Sequence, residues 1–156
     1  MKSHLTAIAR KTLPLPSRWL LAQGLLHGRV LDYGCGRCGP INNRLISCNL
    51  HVDSVTNFDP YYAPIEIKGK FDTIICNYVL CVLPENEGQK VLEHIQKLLK
   101  PTGKAFISVR NDVPRQGHGI SSRGTYQRWV ELPKLPLIRK TEKYRTFLLT
   151  PETDLV

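Results

Sequence analysis

Apolar and polar positions along this chain switch between two periods, and the switch points mark its elements. The clearest helical pattern lies at Val91, Leu92, Ile95, Leu98 and Leu99, which recur at i, i+1, i+4, i+7 and i+8; Pro101-Thr102-Gly103 ends the run. Before it, Phe71 to Cys76 is almost continuously apolar, the signature of a strand buried on both faces of a parallel sheet, and Lys104 to Val109 predicts the next strand. Upstream, Arg29 to Tyr33 is a short β-rich run that ends at Gly34. Pro40 stands where the first turn of a helix tolerates proline, and Ile41, Leu45 and Ile46 give that helix an apolar face. Ser54 to Phe58 predicts a further strand, stopped at Asp59-Pro60 because proline cannot donate to a ladder. Near the start, Ser17 is the expected cap of a helix running through Arg18, Trp19, Leu20 and Leu21 to Gly24.

Strand and helix alternate, so the expected fold class is α/β: a minimal Rossmann-like, mostly parallel sheet with helices on its faces. The end of the chain changes character. Residues 110–124 read as a polar, glycine-bearing loop, while Thr125 to Leu132 and Tyr144 to Thr150 read as two strands joined through Pro133 and Pro136, an antiparallel C-terminal pair. Residues 1–16, with Arg10, Lys11 and two prolines, are expected to form a basic arm; 17–150 form one domain and 151–156 a tail.

With 156 residues and 42% hydrophobic content, a single domain with a real core is expected. No apolar stretch approaches the ~20 residues of a membrane span, and the start lacks the apolar core of a signal peptide, so a cytoplasmic protein is expected. The five cysteines then read as reduced thiols, with Cys76 and Cys81 packed as small hydrophobes. The formal net charge is +9, concentrated in residues 104–145, where ten Lys or Arg face three Asp or Glu. Such a segment is either a phosphate-binding face or a solvated basic one.

The densest chemistry is residues 30–40, VLDYGCGRCGP. Cys35-x-x-Cys38 offers two thiolates, but a closed zinc site needs four ligands and no second such pair exists, so a metal or redox protein is the outsider and no metal is expected. Gly34, Gly36 and Gly39 complete G-x-G-x-x-G, with Asp59 at the spacing of a ribose-binding acid. Asp32 argues against a dinucleotide, because a carboxylate at that strand end would repel the pyrophosphate seated on the following helix. A cofactor carrying an ammonium and a sulfonium, as S-adenosylmethionine does, would be attracted instead.

VLDYGCG resembles the first motif of class I S-adenosylmethionine-dependent methyltransferases; NFDP resembles the second, FDTIICNYVLCVLP the fourth, and LLKPTGKAFISV the segment after it, in matching order across residues 29–109. The tail SSRGTYQRWVELP, the basic arm and the small size are similar to short stand-alone methyltransferases of bacteria and phages. Residues 10–82 also resemble methyltransferases associated with DNA phosphorothioation. The resemblance implies S-adenosylmethionine as cofactor, with Asp32 near its ammonium, Gly34 and Gly36 letting backbone approach the methionyl end, and Asp59 accepting from the ribose hydroxyls. Cys35 and Pro60 join the expected cofactor contacts. Asn77 falls at the mouth where methyl meets acceptor, and Tyr78 covers the cofactor.

The chain departs from that pattern in two places. Only eleven residues separate Asp59 from Phe71, too few for the usual extra strand and helix, which leaves Glu66 as the candidate for the adenine amine. Residues 110–124 are too short for the usual crossover helix, so an apolar sheet face is expected to be covered by a second copy or a partner. No Asn-Pro-Pro-Tyr sequence or Pro-Cys pair identifies the acceptor, and the catalytic candidates are Asn77 and His118. Arg110, Arg115, Arg123 and Arg128 are candidates to hold phosphates, with Tyr126 or Trp129 stacking on a base, unless Trp129 belongs to the core. The expected function is methyl transfer, with nucleic acid slightly favoured as acceptor. The alternative is a non-catalytic S-adenosylmethionine-binding sensor or accessory subunit.

Overall fold

The computed structural model describes residues 11–115, 118–120 and 126–156, with 118–120 and 126 described by their backbone alone. A six-stranded sheet forms its centre. In chain order the elements are α1 (Leu15–Ala22), β1 (Gly28–Tyr33), α2 (Gly39–Ser47), β2 (Val52–Phe58), β3 (Phe71–Asn77), α3 (Glu85–Lys97), β4 (Leu99–Arg110), β5 (His118–Ile120), β6 (Tyr126–Arg128), β7 (Leu137–Lys140) and β8 (Tyr144–Leu149). The sheet order is β2-β1-β3-β4-β8-β7. Strands β2, β1, β3 and β4 are parallel, β8 runs antiparallel to β4, and β7 antiparallel to β8.

Alternation along each strand divides the core in two. On one face α1 and α2 pack Leu20 and Ile46 against Val30, Ile75 and Phe106. On the other, α3 sets Leu92 and Ile95 against Leu31, Ile74, Ile107 and Phe147. Helix α3 carries Glu85 and Glu87 in its first turn and His94 and Lys97 in its last, each sign complementing the helix dipole.

Several boundaries differ from those the sequence predicts. Helix α1 starts at Leu15, with Pro16 in its first turn, and Ser17 makes no cap; its buried hydroxyl instead accepts a bond of 2.8 Å from Asn77 Nδ2. Proline's fixed φ suits a first turn, which is why it opens the helix rather than delaying it. Leu13 is buried in the α1-side core, so the expected arm is part of the folded unit from there on, while residues 1–10 lie outside the described residues. Pro101 does not stop the chain between elements: β4 begins at Leu99 and passes through it, with a register shift against β3 between Phe71 and Thr73 absorbing the extra residues.

Of the two C-terminal strands expected, Tyr144 to Thr150 is present as β8 and lies in an antiparallel pair, but its partner differs. Residues 126–128 do not pair with β8 but with β5, in a separate two-stranded sheet. The partner of β8 at the sheet edge is β7, a short strand with polar residues on an exposed edge, which gives no apolar alternation to read. The missing crossover helix does not leave a bare sheet. The Val130–Leu135 segment lays both named residues, each under 7% exposed, onto the α3-side core. Among the described residues, Leu137 on β7 is the one exposed large hydrophobic that belongs to the sheet. No helix of the described residues is long and apolar enough to cross a membrane.

Candidate cofactor and acceptor site

The carboxyl ends of β1, β2, β3 and β4 open into a cavity of about 610 Å³. Its floor is the glycine loop. Gly34 N and Cys35 N both donate to Phe58 O, at 2.7 and 3.0 Å, which ties the loop to the end of β2. Gly34 has φ +78°, and a Cβ there would stand 2.4 Å from Val79 Cγ2, so only glycine lets the backbone pass. Gly36, also at positive φ, donates its N–H to Asp59 Oδ2 at 3.0 Å.

Asp59 Oδ1 accepts from the N–H groups of Tyr61 and Tyr62, at 2.9 and 3.0 Å. This carboxylate therefore clamps the loop after β2 to the glycine loop and keeps acceptor capacity on Oδ2. Asp32 is 3% exposed. Asn42 Nδ2, from α2, donates to its Oδ2 at 3.3 Å, and no cation of the described residues forms an ion pair with it. Burial pushes its carboxyl up to about 7, opposed by the Asn42 bond and reinforced by the charge of Asp59. Beside it, Asn42 Oδ1, Asn57 Oδ1 and Asn77 Oδ1 are buried without a hydrogen-bond partner among the described residues.

Asn77 ends β3 on the α1 side, held by Ser17. Tyr78 follows in a left-handed conformation, φ +61°, rare for a residue with a side chain, and its N–H donates to Ser108 O at 2.8 Å. That geometry turns the chain sharply at the cavity wall, which Asn77 and Tyr78 both line. All eight expected cofactor contacts thus lie on one cavity: Asp32, Gly34, Cys35, Gly36, Asp59, Pro60, Asn77 and Tyr78.

Glu66 is exposed and lies outside the cavity wall; Tyr61 and Tyr62, with ring centroids 4.8 Å apart, occupy that end instead. The paired tyrosines after Asp59-Pro60 were the available signal for them. Asn42 was missed because it reaches Asp32 only through the packing of α2.

Cys35 is held as the thiol. Cys35 and Cys38 are both buried, and burial with the charges of Asp32 and Asp59 pushes the Cys35 thiol up to about 12. Among the described residues no group of three metal-ligating side chains assembles.

Of the four expected phosphate-binding residues, Arg110, Arg115 and Arg128 are described, and each makes an internal contact. Arg110 makes two bonds of 2.8 Å to Asp112, and Arg128 Nε donates to Leu83 O at 2.6 Å. Trp129 is neither core nor an open stacking platform. The Arg145 guanidinium lies 3.8 Å from its ring centroid and that of Arg115 lies 5.0 Å away, while its Nε1 donates to Glu131. Arg123 and the side chains of His118 and Tyr126 lie outside the described residues.

Solved structures with the same fold include methyltransferases. The 1,6-didemethyltoxoflavin-N1-methyltransferase of Burkholderia thailandensis, bound to 1,6-didemethyltoxoflavin and S-adenosylhomocysteine, superposes with a TM-score of 0.64 at 17% identity, covering 86% of this chain and 76% of that one. A DhpI-SAM-HEP complex gives a TM-score of 0.59 at 11% identity over 84% and 82% of the two chains. The magnesium protoporphyrin IX methyltransferase ChlM from Synechocystis PCC 6803, bound to SAH, gives 0.50 at 18% identity over 84% and 78%. No curated protein matches the sequence. A family model described as a methyltransferase domain matches residues 4–142, nearly the whole chain, and this protein belongs to that methyltransferase family.

Proposed function

We propose that this chain transfers a methyl group from S-adenosylmethionine to a small-molecule acceptor. The observation that carries the cofactor assignment is Asp32, a carboxylate buried in the cavity wall with no cationic partner among the described residues. A buried carboxylate stays ionised only when an opposite charge joins it. The cofactor's ammonium has that charge, and the glycine loop beside Asp32, with Gly34 and Gly36 at positive φ, leaves backbone rather than side chain facing the cavity. Asp59 Oδ2 would accept from a ribose hydroxyl, and Tyr61 and Tyr62 would border the base.

When bound, S-adenosylmethionine supplies an activated methyl group on a sulfonium that departs as a neutral thioether. The chain's own contribution is alignment and exclusion of water, with Asn77 and Tyr78 shaping the wall at the end of β3. A small acceptor is favoured over nucleic acid because Arg128 and Trp129 are spent on internal contacts rather than displayed. The sensor reading draws support from the short β2–β3 connection, and turnover of the cofactor with candidate acceptors separates the two.

The test is a thermal melt with S-adenosylmethionine, with NAD as comparator. At ~100 times its dissociation constant the ligand should stabilise by about 2.7 kcal/mol, a shift of several degrees. The shift should disappear in Asp59→Ala. A shift with NAD alone would overturn the cofactor assignment.

A further inference from the structure

Beyond the glycine loop, the cavity wall passes from Tyr78 to the ends of β4 and β8. Val82 and Leu83 form an apolar floor there, and Arg110, Asp112 and Lys143 stand at the rim. Asp112 grips the Nε and Nη2 edge of Arg110, which fixes the guanidinium plane and leaves its Nη1 end to other partners. The turn carrying Lys143 is held against this pair: Asn111 N donates to Lys143 O at 2.9 Å and Asn111 Nδ2 to Thr141 O at 2.6 Å.

Arg110 and Asp112 cancel, so Lys143 leaves the rim with a single positive charge in excess. The same wall holds a second unmet demand. Gln127 is 6% exposed, and its Oε1 is buried without a hydrogen-bond partner among the described residues. A buried acceptor of this kind calls for a donor.

Resting on the methyltransferase reading, we propose that the methyl acceptor is a small ring compound bearing one anionic group, a carboxylate or a phosphate, and an N–H or O–H. The anion sits between Lys143 and the Nη1 end of Arg110, the ring lies on Tyr78, Val82 and Leu83, and the donor faces Gln127. Excess charge at the rim selects for the anion, while the apolar floor accepts a ring but not a flexible polar chain. Arg110 and Lys143 are thus specificity-determining residues. They belong to the acceptor side, remote in sequence from the Asp32 and Asp59 loops.

The experiment is calorimetric titration of the S-adenosylhomocysteine-loaded protein with benzoate and phenyl phosphate, against neutral benzamide. An anionic probe should bind at least tenfold more tightly than benzamide, and whether benzoate or phenyl phosphate does so distinguishes the two sources of the anion. Lys143→Gln and Arg110→Gln should each weaken that probe about fivefold, leave S-adenosylhomocysteine binding unchanged, and reduce the salt dependence of the probe. Lys143 is exposed, so its variant tests the site even if Arg110→Gln perturbs the loop.

Equal binding of benzamide, binding of neither anion, or binding of a single-stranded oligonucleotide in their place would overturn the proposal. So would loss of S-adenosylhomocysteine affinity in Lys143→Gln, which would assign the cation to the cofactor. Failure of the wild-type protein to bind S-adenosylhomocysteine would instead defeat the methyltransferase reading, and the proposal with it.

Discussion

Replacing Asp32 by asparagine should make the ligand-free protein more stable and at the same time useless. The carboxyl is raised from 3.8 to about 7 by burial, so the folded state holds a proton that the unfolded chain releases. For a raised carboxylate the sign is unfavourable: stability falls as pH climbs from the unfolded value to the folded one, and the loss is complete above it. About three units at 1.36 kcal/mol each give roughly 4 kcal/mol of destabilisation at pH 8, with little near pH 4. Asparagine is nearly isosteric, preserves an acceptor for Asn42 Nδ2 and carries no charge to desolvate.

The variant should therefore melt about 8–16 °C above wild type at pH 8 and close to it at pH 4, using two to four degrees per kcal/mol for a chain of this length. Scanning fluorimetry of both proteins from pH 4 to 8, each with and without S-adenosylhomocysteine, reads the effect directly. The ligand-induced shift should vanish in the variant. In wild type, affinity should fall about tenfold per pH unit below 7 and level off above it, because the bound ammonium requires ionised Asp32. An Asp32→Asn protein less stable than wild type at pH 8, or one whose stability advantage does not grow with pH, would refute the reasoning.

Further outcomes follow from the glycine loop and the cysteines. Gly34→Ala should lose about 1–3 kcal/mol in chemical denaturation, from positive φ and the approach to Val79, together with cofactor binding. Adding Val79→Ala should restore part of that stability by removing the clash but not the backbone strain. Cys35→Ser and Cys38→Ser should leave zinc content by elemental analysis unchanged; loss of zinc in either variant would revive the metal reading.

Much of the sheet was legible because its parallel strands are buried on both faces and so carry dense apolar runs. Phe71 to Cys76 is readable for that reason, and β3 occupies Phe71–Asn77. At the C-terminus Tyr144 to Thr150 was legible, and β8 occupies Tyr144–Leu149, but β7 and the partner of β6 were not. Leu137-Ile138-Arg139-Lys140 sits on an exposed edge where polar side chains are tolerated, and β6 pairs only with β5 away from the main sheet. The glycine-loop residues stood out because a tight turn demands particular residues at particular spacings. Tyr61, Tyr62 and Asn42 carry no such spacing, and their place on the cavity emerges only when β2 and α2 are packed.

By itself, then, the sequence determined the alternation of strands and helices, the glycine loop and the two carboxylates at strand ends, since each depends on neighbours within a few residues. Tertiary structure decided the rest. Asn77 meets Ser17 across 60 positions, Arg145 stacks on Trp129, and Arg110 and Asp112 share a rim with Lys143 only because β4 and β8 lie antiparallel. Local chemistry is written along the chain, whereas the charge balance and burial of a site are sums over segments that only the folded sheet brings together.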